Sequence, residues 1–159
     1  MKKLILLLVI VCLSLPFQAM ATTGSITGVS SKIYDINGTF KYIKVLLTCT
    51  ADVSAHTYPA TVINDLLTDK IVGMSLYTVG TYPGSTAPTD ATDLTITQDT
   101  IDILDTKGVN LIDATTKEIT WAGSSTQDFA VPIVGDITAN ITNNSVDSAV
   151  SYIVLIFGE

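Results

Sequence analysis

Short runs in which every second residue is apolar recur along this chain, and they constrain its fold more than any other feature. Val72, Met74 and Leu76 form one such run, Leu94 and Ile96 another, and Ile101 and Ile103 a third. Ile119 and Trp121, then Phe129, Val131 and Ile133, then Ile137, Ala139 and Ile141 follow the same rule. Successive side chains on a pleated strand point to opposite faces, so a period of two gathers each apolar set on one face and leaves the residues between them for water. The runs end in pairing breakers: Tyr82-Pro83-Gly84, Lys107-Gly108, Ala122-Gly123 and Asn143-Asn144-Ser145. Proline brings no N–H to a ladder, and glycine and asparagine accept turn conformations that other residues resist. Many short strands divided by such residues predict an all-β fold, an antiparallel β-sandwich with the jelly roll as one form of it, and at most one short helix. Threonine occupies 24 of positions 22–159, which suits strands whose outward faces stay polar.

Asn37-Gly38 lies between Ile33–Ile36 and the long run Thr39–Thr50, and its tolerance of positive φ predicts the first hairpin through a type I′ turn. In the centre, Val72, Met74 and Leu76 share one strand face and Tyr77 and Val79 the other. A loop through Ser85, Thr86, Ala87 and Pro88 leads past Asp90 and Asp93 to the next strand, Leu94–Thr97. Helical spacing is confined to Pro59–Gly73, where Val62, Leu66 and their neighbours predict a helix or helical turn over Val62–Thr68 capped by Thr61; a strand-like Thr61-Val62-Ile63 is the competing reading. The last run, Val150–Phe157, is apolar on both parities. Such a strand needs cover on both faces, either as a central core strand or from a neighbouring subunit.

Lys2 and Lys3 precede an apolar run from Leu4 to Leu13, and the segment PFQAMA ends in small residues. This is the layout of a secretory signal peptide cleaved after Ala21, too short to span a bilayer, which takes about 20 apolar residues. Residues 22–159 then form a single domain, exported to the periplasm, the cell surface or the medium. Removing the leader leaves six lysines against 15 acids, a formal charge of −9, with no arginine anywhere. That balance opposes nucleic-acid binding and attachment to anionic membranes, and leaves cations as the natural small partners. Cys49 is then the sole cysteine, so no internal disulfide forms, and its parity with Ile43, Val45 and Leu47 predicts a buried thiol.

Catalytic sets are not apparent. His56 is the one histidine, without the further nitrogen and sulfur ligands that zinc requires, and no G-x-S-x-G or phosphate-cradling glycine loop occurs. No feature selects two of the many acids as a glycosidase pair. Asp90, Asp93, Asp99, Asp102 and Asp105 recur around the central loop. Of these, Asp90, Asp93 and Asp99 are the candidates for a calcium site built from hard oxygen ligands, against the plainer role of aspartates that stabilise turns. No other cofactor is expected.

The run LYTVGTYPGSTAPTDATDLTI, the following DTIDIL and the late segment PIVGDITANITNNSVDSAVSYIVLIF resemble a poorly characterised family found largely in tailed-phage and prophage gene sets. Its members carry a PG, APTD, aspartate and alternating-strand core and end in a hairpin around NNS. The resemblance covers Ile71 to Phe157. It implies a small β-rich accessory or structural component of a virion, with no catalytic residue to carry over. The expected function is a non-enzymatic structural or assembly protein whose partners are other protein subunits, copies of itself or virion proteins. The alternative is an exported surface or glycan-binding module assisted by calcium.

Overall fold

A computed structural model describes residues 23–35, 37–123 and 130–159. The expected leader at 1–21, Ile36 and Phe129 lie outside the described residues. β1 (Ser25–Tyr34) and β2 (Phe40–Thr50) form the first hairpin. It falls at Asn37-Gly38, but the connection is longer than a type I′ turn: the last pair is Tyr34 with Phe40, and Asp35 organises the described residues between them. The Asp35 carboxylate accepts the N–H groups of Asn37 and Thr39, each at 2.8 Å, and Gly38 takes a φ of 78°.

Among the described residues eight further strands follow: β3 (Thr61–Val62), β4 (Ser75–Pro83), β5 (Asp93–Gln98), β6 (Ile101–Asp102), β7 (Glu118–Trp121), β8 (Val131–Pro132), β9 (Ile137–Thr142) and β10 (Val150–Gly158). Their pairing is nested and antiparallel throughout: β2 with β10, β3 with β9, β4 with β7 and β8, and β5 with β6. A ribbon paired in this way, rolled so that alternate pairs fall in opposite layers, gives sheet A in the order β1-β2-β10-β4-β7 and sheet B in the order β3-β9-β5-β6. This is the jelly-roll form of the sandwich. β7 and β8 pair with successive stretches of β4, Thr78–Thr81 and Ser75–Leu76, so they are two halves of one roll strand. β1 is an addition outside the roll, at the edge of sheet A.

The core lies between the sheets. Ile43, Val45, Leu47 and Cys49 of β2 and Ile153, Leu155 and Phe157 of β10 face Leu94 and Ile96 of β5 and Ile137, Ala139 and Ile141 of β9, and none is more than 3 % exposed. Each large aliphatic buried this completely contributes about 1.5–3 kcal/mol. Three buried hydroxyls all have partners: Thr81 donates to Leu111 O, Thr92 to Thr89 O, and Ser151 pairs with the Tyr58 hydroxyl at 3.2 Å. Burial without those partners would cost about 1–3 kcal/mol each.

Four details depart from simple alternation. The helix expected over Val62–Thr68 is a single 3-10 turn, Asn64–Leu66. Thr61 and Val62 are held extended by β9, and the Asn64 side chain accepts the Ile137 N–H at 2.9 Å, so the chain is tied to the sheet on either side of the turn. Thr61 does not cap it; its hydroxyl bonds Pro59 O. In β4, Ile156 pairs with Thr78 and Phe157 with Leu76, which leaves Tyr77 as an extra residue. That bulge reverses the parity, so Val79 points inward with Leu76, and Val72 sits exposed in the turn before the strand. β6 is a two-residue strand with Ile101 outside, while Ile103 and Leu104 turn into the core. On β7 the expected half-buried pair Ile119 and Trp121 faces away from the core, 75 % and 53 % exposed.

Candidate interaction face

Residues directly opposite in neighbouring strands project from the same face, so the register of sheet A fixes rows of side chains running across it. One outer row is apolar from end to end: Val29 on β1, Leu46 on β2, Val154 on β10, Gly80 on β4 and Ile119 on β7. On one side of it runs the row Ser31, Lys44, Ile156, Thr78 and Trp121; on the other, Thr27, Thr48, Tyr152 and Tyr82. β10 is thus a central strand whose inner parity is buried and whose outer parity, Val150, Tyr152, Val154 and Ile156, is only half covered. The sequence demanded cover on both faces, and the described chain supplies it on one.

Gly80 shapes the middle of this face. A Cβ there would meet only Glu118 O at 3.7 Å and the Val154 Cβ at 3.9 Å, so the missing side chain leaves a floor between Val154 and Ile119. Above it lies a groove of about 490 Å³ walled by Ile33, Tyr42, Tyr82 and Lys117. A second hollow of about 310 Å³ adjoins it between Tyr42, Tyr77, Trp121 and Ile156. Tyr82 and Tyr152 stack with centroids 4.8 Å apart, and the Lys117 ammonium stands 5.6 Å from the Tyr82 ring, a cation–π distance. Lys41, Lys44 and Lys117 line the two hollows, whereas Glu118 and Glu159 are the only acids that do. Lys41 lies 3.7 Å from the Asp35 carboxylate, which leaves Lys44 and Lys117 as the cations at the border of the larger groove.

The proposed calcium ligands do not converge. Asp93 opens β5 and Asp99 follows its last residue, so six residues of extended chain, about 20 Å at 3.4 Å each, separate them. Asp93 is engaged otherwise: its carboxylate accepts the Asn110 N–H at 2.7 Å and the Asn143 amide at 2.5 Å. Asp90 is exposed and bonds the Ala91 N–H. Asp102 accepts the Leu104 N–H at 3.0 Å. Among the described residues no group of three or more His, Cys, Asp or Glu side chains is placed to hold a metal ion. Two carboxylates that the sequence did not single out are held below the usual carboxylate range. The N–H groups of Thr115 and Thr116 hold the Asp113 carboxyl far below its usual range, and those of Ala55 and Ser54 lower that of Asp52.

Turn residues of the APTD and NNS runs meet at one end of the sandwich. Asn144 of the NNS turn accepts the Thr89 N–H at 3.0 Å and donates to His56 O at 2.7 Å, and Thr89 and Ser145 share a hydroxyl contact at 2.8 Å. One amide therefore ties three loops together. His56 lies beside this knot with Nδ1 2.6 Å from Asp147. Cys49 is fully buried between the sheets, and burial pushes its thiol up to about 12.

Fold and face together define a jelly-roll sandwich that presents an open, apolar, lysine-rimmed sheet. In comparisons with protein families, curated proteins and solved structures, nothing matches this chain.

Proposed function

We propose that this protein is a non-enzymatic structural or assembly component that works by contact, seating the outer face of sheet A on an apolar, acid-bearing surface of another protein subunit. The observation that carries the reading is the unbroken row Val29, Leu46, Val154, Gly80 and Ile119, whose two ends are 69 % and 75 % exposed. A contiguous apolar strip with polar borders on a soluble fold marks a contact site. The aliphatic floor favours a protein side chain over a sugar, because it offers a hydroxyl-rich ligand few hydrogen bonds. Lys44 and Lys117 at its borders favour a partner that brings carboxylates, and such pairing sets orientation and rate of encounter. The likeness of Ile71–Phe157 to tailed-phage accessory proteins supplies the setting, a virion-type particle. Export through the expected leader makes the cell surface or medium the other location.

Density-gradient fractionation of cultures producing the full chain tests this. The chain is expected in particle-density fractions, and Ile119→Asp with Val154→Asp is expected to move it to the density of free protein while leaving its far-UV spectrum intact. Wild-type chain found only as free protein would sink the reading. Release from particles by oligosaccharide would favour the glycan-binding alternative, which has the exposed Trp121 and Tyr42 in its support.

A further inference from the structure

We infer that β1 is a self-pairing edge, through which two copies of this chain join into one continuous sheet about a two-fold axis at Val29. This stands apart from whatever docks on the outer face, because it rests on main-chain groups. The Ala51 N–H bonds Ala149 O across β2 and β10. Main-chain groups alternate in direction along an antiparallel strand, so odd-numbered residues of β2 bond β10 and even-numbered ones bond β1. Leu46 and its like-facing neighbours pair with Val29, Thr27 and Ser31, which therefore turn their N–H and C=O toward β2. Ile26, Gly28, Ser30 and Lys32 turn theirs to the open side. Among the described residues nothing bonds those groups.

The edge is only partly protected: Leu66 of the 3-10 turn packs over the core face of β1 at Gly28 and Asp69 bonds Ser30 and Lys32, but no main-chain group of that segment bonds β1. The edge strands of sheet B, β3 and β6, have two residues each, and the far edge of sheet A is interrupted between β7 and β8. β1 runs for 10 residues without proline. Its one charge, Lys32, is held by Asp69 at 3.0 Å.

The chain's own geometry selects the register. A slip by an odd number of residues would turn the second copy's core face outward. Among even slips, an axis through Val29 sets Ile26 against Lys32 of the partner subunit and Gly28 against Ser30 of the partner subunit, each twice by symmetry, and so satisfies every open group. A shift by two residues either way calls on Gly24, before the strand, or on Tyr34, beyond the irregularity at Ile33/Tyr34. In the selected register Val29 faces its own copy, and the two apolar rows become one. The paired stretch is about 30 Å long and one sheet deep, roughly 600 Å² over both copies. Stable interfaces bury about 1,200–2,000 Å², so the dimer is weak and forms at high local concentration.

Cysteine cross-linking reads the register directly. In a non-hydrogen-bonded antiparallel pair the Cα atoms are about 4.5 Å apart, within disulfide reach. In the full chain carrying Cys12→Ser, mild copper-catalysed air oxidation is expected to give covalent dimer with Val29→Cys and none with Thr27→Cys or Ser31→Cys alone. A mixture of the last two is expected to cross-link, because those positions oppose each other. Equal cross-linking by all three single variants, or no dimer from Val29→Cys in a protein with an unchanged far-UV spectrum, would overturn the inference.

Discussion

Two isoleucines on sheet A separate buried surface from open surface. Ile153 on β10 is 0 % exposed and Ile119 on β7 is 75 % exposed. Replacing each by threonine keeps the branched Cβ that strands favour, so the comparison isolates burial. At Ile153 the change removes most of the roughly 1.5–3 kcal/mol of transfer free energy and buries a hydroxyl at a further cost of about 1–3 kcal/mol, near 4 kcal/mol in all. At Ile119 a quarter of the side chain is covered, so the loss is about 0.5 kcal/mol. For a domain of this size 1 kcal/mol shifts Tm by about 3 °C, which predicts a fall of about 12 °C for Ile153→Thr and of only 1–2 °C for Ile119→Thr. Far-UV circular dichroism melts and urea titrations measure both. Comparable losses at the two sites would refute the reasoning, because Ile119 would then be packed within the monomer and the face would not be free.

Cys49 is expected to resist thiol reagents until the chain unfolds. Its thiol keeps a proton in the native state that the unfolded chain releases above 9.0, so its contribution to stability is complete below that pH and fades as pH rises toward about 12. Urea midpoints at about pH 8 and about pH 10 should differ more for the wild type than for Cys49→Val. Asp52 and Asp113, lowered by backbone N–H groups, act in the opposite direction: their stabilisation is present above the ordinary 3.8 and disappears as pH falls below it. Asp113→Asn should therefore flatten the acid limb of a stability profile, and an unchanged limb would contradict that assignment. Gly108→Ala should cost more than about 3 kcal/mol or prevent folding, because its Cβ would fall 1.7 Å from Leu94 O; a melt close to wild type would show that the loop yields freely.

What the sequence revealed was what is local along the chain. Leu94 and Ile96, or Ile137, Ala139 and Ile141, declare their buried face because a strand's period is two and the core lies on one side of each. Asn37-Gly38 declared its hairpin, though Asp35 decided the form of the turn. The interaction face was hidden because its central row crosses five strands, from Val29 to Ile119, perpendicular to the chain. Ile119 and Trp121 alternate like a buried strand and yet face outward, since alternation does not say which side the core is on. The Tyr77 bulge reverses a parity that no residue type announces. For Asp90, Asp93 and Asp99, nearness in sequence misled, because an extended strand carries residues apart faster than any other structure. The one clue to the face was the two-sided apolar pattern of Val150–Phe157, which asked for a second cover.

The most direct test of the open face on sheet A uses anilinonaphthalene sulfonate, an anionic apolar dye that matches the groove's aliphatic floor and its lysine border. The native protein is expected to bind it saturably at a single site, and Gly80→Leu, whose Cβ would meet nothing closer than 3.7 Å and whose side chain would occupy the floor, is expected to abolish that binding with Tm unchanged. Dye bound equally well by Gly80→Leu, or not bound by the native protein at all, would contradict the account.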